Sequence, residues 1–136
     1  MGILGSVPLE DSNIMIGYIT LGTNDFAKAG AFYDALLGEI GARRVMANDR
    51  MILWGNQPGG PMVAVCKPYD GKPATAGNGT MVALNVGSRE NVEKVYRKAI
   101  ELGGKDEGAP GERGPGFFGG YFRDLDGNKF VAYSMG

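Results

Sequence analysis

The sequence contains no histidine in its 136 residues. That removes the commonest general base, the usual zinc ligand and every Ser-His or Cys-His arrangement. Cysteine is almost as scarce: Cys66 stands alone, so no intrachain disulfide can form and a reducing, cytoplasmic compartment is expected. Within its apolar run Cys66 reads as a small buried hydrophobe rather than a reactive thiol. No apolar stretch approaches ~18 residues, so none can cross a membrane as a helix. The N-terminus has no basic segment followed by an apolar one, and no export signal is expected. An excess of one charge is also lacking. With 14 basic and 15 acidic side chains the formal net charge is −1, which provides no footprint for nucleic acid or a membrane surface.

Glycine is abundant, with 24 residues against a usual share of about 7%. The glycines are dispersed between apolar segments and read as turn punctuation, not disorder. A chain of this length fits one domain, or two small modules sharing one core, and needs no disulfide or metal to fold.

Met1 to Asn13 has no clear periodicity and is read as an N-terminal arm (1–13) preceding a single domain over 14–136. Ile16 to Thr23 alternates as a strand, after which Asn24 is placed as N-cap with Asp25 complementing the helix dipole. Phe26, Ala29, Tyr33, Leu36 and Leu37 recur at helical spacing as far as Gly38, read as the stop. Three short apolar segments follow, Ala42 to Ala47, Met51 to Trp54 and Pro61 to Lys67, separated by turn-forming residues. The first module, about 14–67, is thus β-α-β-β-β.

After a polar connection from Pro68 to Asn78 the order repeats over about 79–136. Gly79 to Val86 is the key stretch, because it echoes the opening strand: Val82, Leu84 and Val86 occupy one face, and Met81, Ala83 and Asn85 the other. Ser88 is the expected N-cap, Val92, Val95, Tyr96, Ala99 and Leu102 the helical stripe, and Gly103-Gly104 the stop. A shift of 63 superposes Tyr18 on Met81, Leu21 on Leu84 and Tyr33 on Tyr96, the mark of an internal duplication. Lys105 to Gly116 reads as a loop-like strand region, and Asp124 to Asn128 joins two closing strands as a tight hairpin.

Several motifs have bland explanations. Gly114 to Gly119 matches G-x-G-x-x-G but leads into a strand and contains Pro115, so no dinucleotide cofactor is expected. Asp124 and Asp126 suit a turn better than a calcium loop. Glu10, Asp11, Asp34, Glu39, Asp49 and Glu90 read as solvated charge, with no pair placed as acid and base. Of Arg43 and Arg44 at most one can face any pocket.

Three stretches carry a resemblance: Ile16 to Leu21 with Asp25 and Phe32-Tyr33, Gly77 to Leu84, and Tyr121 to Lys129. Together they resemble the paired β-α-β-β-β modules of the vicinal oxygen chelate superfamily. Glyoxalase I, extradiol dioxygenases, fosfomycin-resistance enzymes and bleomycin-binding proteins belong to it. The resemblance implies an α+β fold in which two modules form a cupped mixed sheet with helices outside, and a homodimer. It also implies metal ligands at Tyr18, Met81 and Val131, where metal-using members carry His, His and Glu, with Ala64 at the remaining equivalent position. None of these four is a good ligand for a divalent ion, so no metal or other cofactor is expected. The cup is expected to be lined by Tyr18, Met81, Ala83, Asn85, Tyr121, Val131 and Tyr133, with Trp54 and Cys66 as further candidates. Such a lining suits an organic ligand held by stacking and shape, although the same residues can simply fill a closed core. Three functions remain open at this level: a metal-free binder of a small organic molecule, a metal-independent enzyme using Tyr18 or Tyr121 as acid, and a non-catalytic association module.

Overall fold

Alternating apolar residues and two helical stripes produce ten elements in the computed structural model, which describes residues 14–136. The proposed arm lies outside the described residues. The first module comprises β1 (Tyr18–Gly22), α1 (Phe26–Gly38), β2 (Arg43–Ala47), β3 (Met51–Gly55) and β4 (Met62–Cys66). The second comprises β5 (Val82–Asn85), α2 (Arg89–Glu101), β6 (Lys105–Gly114), β7 (Phe117–Arg123) and β8 (Lys129–Met135). Each module builds a four-stranded mixed sheet, β1-β4-β3-β2 or β5-β8-β7-β6. β1 runs parallel to β4 and β5 to β8, and the other pairs are antiparallel. This is the expected α+β architecture of two β-α-β-β-β units.

The duplication is visible in the registers. α1 and α2 both have 13 residues and begin 63 positions apart, at Phe26 and Arg89. Thr20 lies beside Ala64 in one module, and Ala83 beside Val131 in the other. Ala64 and Val131 are therefore equivalent.

One local expectation is corrected and two are sharpened. Asp25, not Asn24, caps α1, its carboxylate accepting from the Lys28 N–H at 3.2 Å. Asn24 is occupied elsewhere: its side chain accepts from Ala74 N at 2.7 Å and donates to Ala74 O at 3.1 Å, pinning the inter-module connection. Gly38 is the last residue of α1, as the sequence suggests; Glu39 caps the helix, and the turn that follows reaches Gly41, whose φ of +77° suits a residue without a Cβ. The loop-like strand region expected from Lys105 is a strand as far as Gly114, bonded to β7 through three register shifts that absorb its glycines and Pro110.

The core is continuous across both modules. α1 packs on β2 and β4, α2 on β6, β7 and β8, and the helices meet each other. Tyr33 lies between Trp54 and Phe130, at centroid distances of 5.4 and 5.9 Å, and Phe130 stacks on Phe122 at 5.4 Å. Burying these rings supplies much of the hydrophobic driving force. Hydrogen bonds close the same seam. The Tyr33 hydroxyl donates to Asp124, Asn128 donates to Gly22 O at 3.2 Å, and Asn24 N donates to Asp126 at 2.9 Å.

Candidate functional site

Residues opposite one another in neighbouring strands share a face. In the second sheet the register aligns Ala83, Val131 and Tyr121 in one row, and Asn85, Tyr133 and Gly119 in the next. Phe117 stacks on Tyr133 at 5.1 Å, and Tyr121 has Arg113 at 5.5 Å and Lys129 at 5.7 Å over its ring. In the first sheet Tyr18 pairs with Met62, Thr20 with Ala64, and Gly22 with Cys66. Trp54 lies opposite Val63, one position out of step with Tyr18 and Cys66, and so on the other face.

That other face borders an open cleft of about 670 Å³ between the modules. Ile19, Leu37, Trp54 and Val63 line it from the first module, and Met81, Val82, Ala83 and Leu84 from the second. Asn56, Gln57 and Asn85 contribute carboxamides. The sequence-predicted set thus divides. Trp54, Met81, Ala83 and Asn85 line the cleft; Tyr18, Cys66, Tyr121, Val131 and Tyr133 do not. Leu37, Ile40 and Val63 belong to it although their periodicity marks them only as core, and Asn56-Gln57 although their composition marks them only as turn. No sequence signal distinguishes these from ordinary packing and turn residues.

Trp54 is held in place by chemistry as well as packing. Its indole N–H donates to Asp34 at 2.9 Å, and Arg44 grips the same carboxylate with two bonds of 2.9 Å. The Arg44 bonds hold the Asp34 carboxyl below its ordinary range, against a smaller opposing effect of burial. The tyrosines with displaced acidity are Tyr33 and Tyr96, both raised, first by burial and then by a nearby Asp. Neither lines the cleft.

The positions where metal-using relatives carry ligands do not fit a divalent ion here. Val131 and Ala64 are fully buried hydrocarbon, leaving one phenol and one thioether. Among the described residues no group of three His, Cys, Asp or Glu side chains gathers to hold a metal.

The crystal structure of a glyoxalase/bleomycin resistance protein from Albidiferax ferrireducens T118 superposes with a TM-score of 0.81 and 34% identity, covering 88% of this chain and 98% of that one. A glyoxalase/bleomycin resistance protein/dioxygenase family enzyme from Burkholderia phytofirmans PsJN gives 0.71 at 17% identity, over 88% and 97%. A fosfomycin resistance protein from Mesorhizobium loti gives 0.65 at 17% identity, over 90% and 92%, a likeness of fold alone. Curated protein sequences provide no match. The model of the Glyoxalase/Bleomycin resistance protein/Dioxygenase superfamily matches residues 15–132, and the chain belongs to that superfamily.

Proposed function

We propose that this chain is a cytoplasmic, metal-independent member of its superfamily that binds a small organic molecule in the cleft between its modules, and that it works as a homodimer. The cleft carries the reading. Its volume of about 670 Å³ lies in the usual range for small-molecule sites, roughly 300–1,000 Å³, and its lining is mainly aliphatic with one indole. A few convergent carboxamides on an apolar wall are the composition that orients a ligand while shape and dispersion hold it. The hydrocarbon at the equivalent ligand positions supports independence from metal. Among the described residues β1 and β5 end their sheets with one neighbour each, and Tyr18 and Met81 at their starts are 51% and 44% exposed, which supports a second copy.

Trp54 is the single tryptophan, so its fluorescence reports on the cleft. The test is a thermal-shift screen of aromatic compounds, with hits confirmed by Trp54 fluorescence in the presence and absence of a chelator. At a ligand concentration of 100 times Kd the expected stabilisation is about 2.7 kcal/mol, a rise in Tm of a few degrees. Ala83→Phe, at an exposed position lining the cleft, should weaken binding about tenfold or more. Binding that requires a divalent ion, or that ignores the Ala83→Phe substitution, would overturn the reading.

A further inference from the structure

We infer that the cleft selects an uncharged ligand carrying a hydrogen-bond acceptor for Asn85 and a donor for Asn56. This rests on the cleft being a small-molecule site, and it names the chemistry the site takes.

No ionisable side chain lines the cleft among the described residues. A carboxylate or ammonium entering it would lose water and meet neither a counter-charge nor a cationic or anionic wall, a cost that a neutral molecule escapes. Behind Trp54, Asp34 and Arg44 already satisfy each other. Selection against charge therefore follows from what the wall is made of.

The polar groups are oriented by the chain itself. The Asn85 side-chain oxygen accepts from the Gly87 N–H at 3.2 Å, so the identity of that oxygen is fixed by a donor that cannot reverse. Its NH2 has no acceptor among the described residues and is left to donate. Asn56 is fixed in the opposite sense, because its NH2 donates to the Ile40 carbonyl at 3.2 Å. Its oxygen is left to accept. One module thus offers an acceptor and the other a donor, on an apolar surface between them. A carbonyl at one end of a flat hydrophobic body and a hydroxyl or amide N–H at the other would complete both.

Calorimetry with four ligands of one scaffold tests this: 6-hydroxy-2-naphthamide, 2-naphthamide, 2-naphthoate and 2-naphthylmethylammonium. At neutral pH the hydroxy-amide should bind best, and both amides should bind about tenfold or more tighter than either ion. Asn85→Asp retains the acceptor for Gly87 but replaces the donor with a charged oxygen. It should weaken the amides about tenfold and strengthen the ammonium. If naphthoate binds as tightly as the amide and is weakened by Ala83→Phe, the cleft remains a binding site but the selectivity is wrong. If Asn85→Asp leaves the order of affinities unchanged, the assigned donor is wrong. If none of the four binds, the inference and the underlying function fall together.

Discussion

Tyr33 joins the two modules through a single buried hydroxyl. That hydroxyl donates to Asp124, whose carboxylate also accepts from Asp126 N, Asn128 N and the Asn128 side chain. Among the described residues no buried polar side-chain atom lacks a partner, so the network is complete. Tyr33→Phe keeps the ring against Trp54 and Phe130 but leaves Asp124 one donor short. A hydrogen bond to a charged acceptor contributes about 1.5–3 kcal/mol, and urea unfolding should show a loss of that size. Asp124→Ala, which orphans several donors at once, should cost more. The acidity of Tyr33 adds a pH signature. Burial first and the Asp124 charge second raise its pKa well above the ordinary value of 10.0. The unfolded chain therefore releases this proton first, so the contribution is intact below about pH 10 and declines as the pH rises through the folded value. The alkaline decline should be shallower in Tyr33→Phe; an unchanged slope would mean that other groups cause it. Sequence reading identified Tyr33 as part of a helical stripe and Asp124 as a turn residue, both correctly. Their partnership spans 91 positions, and no local pattern encodes it.

Local signals were strong where they repeated. Both helices, both cap regions and all eight strands could be placed from periodicity, turn chemistry and the repeated order of elements. β6 was the least regular of them in sequence, because its glycines and Pro110 have low strand propensity and the pairing with β7 that overrides this is a tertiary effect. What a glycine at an element end tolerates is decided by its surroundings, and two glycines show it. Gly38 looks like a helix stop in sequence and is the last residue of α1, exposed, with nothing within 4 Å of an added Cβ. Gly38→Ala should stabilise by up to about 1 kcal/mol through higher helix propensity and a less flexible unfolded chain. Gly104 looks like part of a similar stop, but a Cβ there would lie 2.7 Å from Arg123 O and 2.8 Å from Ala99 O. Both atoms are backbone and cannot swing aside. Gly104→Ala should destabilise by about 1–3 kcal/mol, opening the corner where α2 enters β6. Thermal unfolding of the two variants should move in opposite directions, and a gain for Gly104→Ala would contradict the packing of that corner.

At the scale of the whole molecule, the pattern of the sequence specifies two modules but not how they meet. That is why the nine residues expected around one cup separate into four on the cleft and five elsewhere. The placement of the modules is set by the Tyr33, Asn24 and Asn128 bonds and the shared aromatic core, all of them long-range. Among the described residues the packing leaves β1 and β5 at the ends of their sheets, each with a row of backbone groups lacking a second strand. Such edges attract a further strand unless charge or proline blocks them, and Ile16, Tyr18 and Met81 beside them are exposed and apolar. A second copy covering these edges is the expected outcome, and wild-type protein should sediment at micromolar concentration as a dimer of the 14.4 kDa chain. Tyr18→Lys combined with Met81→Lys places two charges on surface already in contact with water, so each should alter the stability of the separate chain by only about 0.5 kcal/mol. The same charges buried between two copies would lack partners, and the double variant should sediment as a monomer with an unchanged circular dichroism spectrum. Wild-type monomer at micromolar concentration would refute the dimer. A dimer indifferent to both lysines would place its interface away from β1 and β5, leaving the edges exposed and the cleft beside them open to solvent.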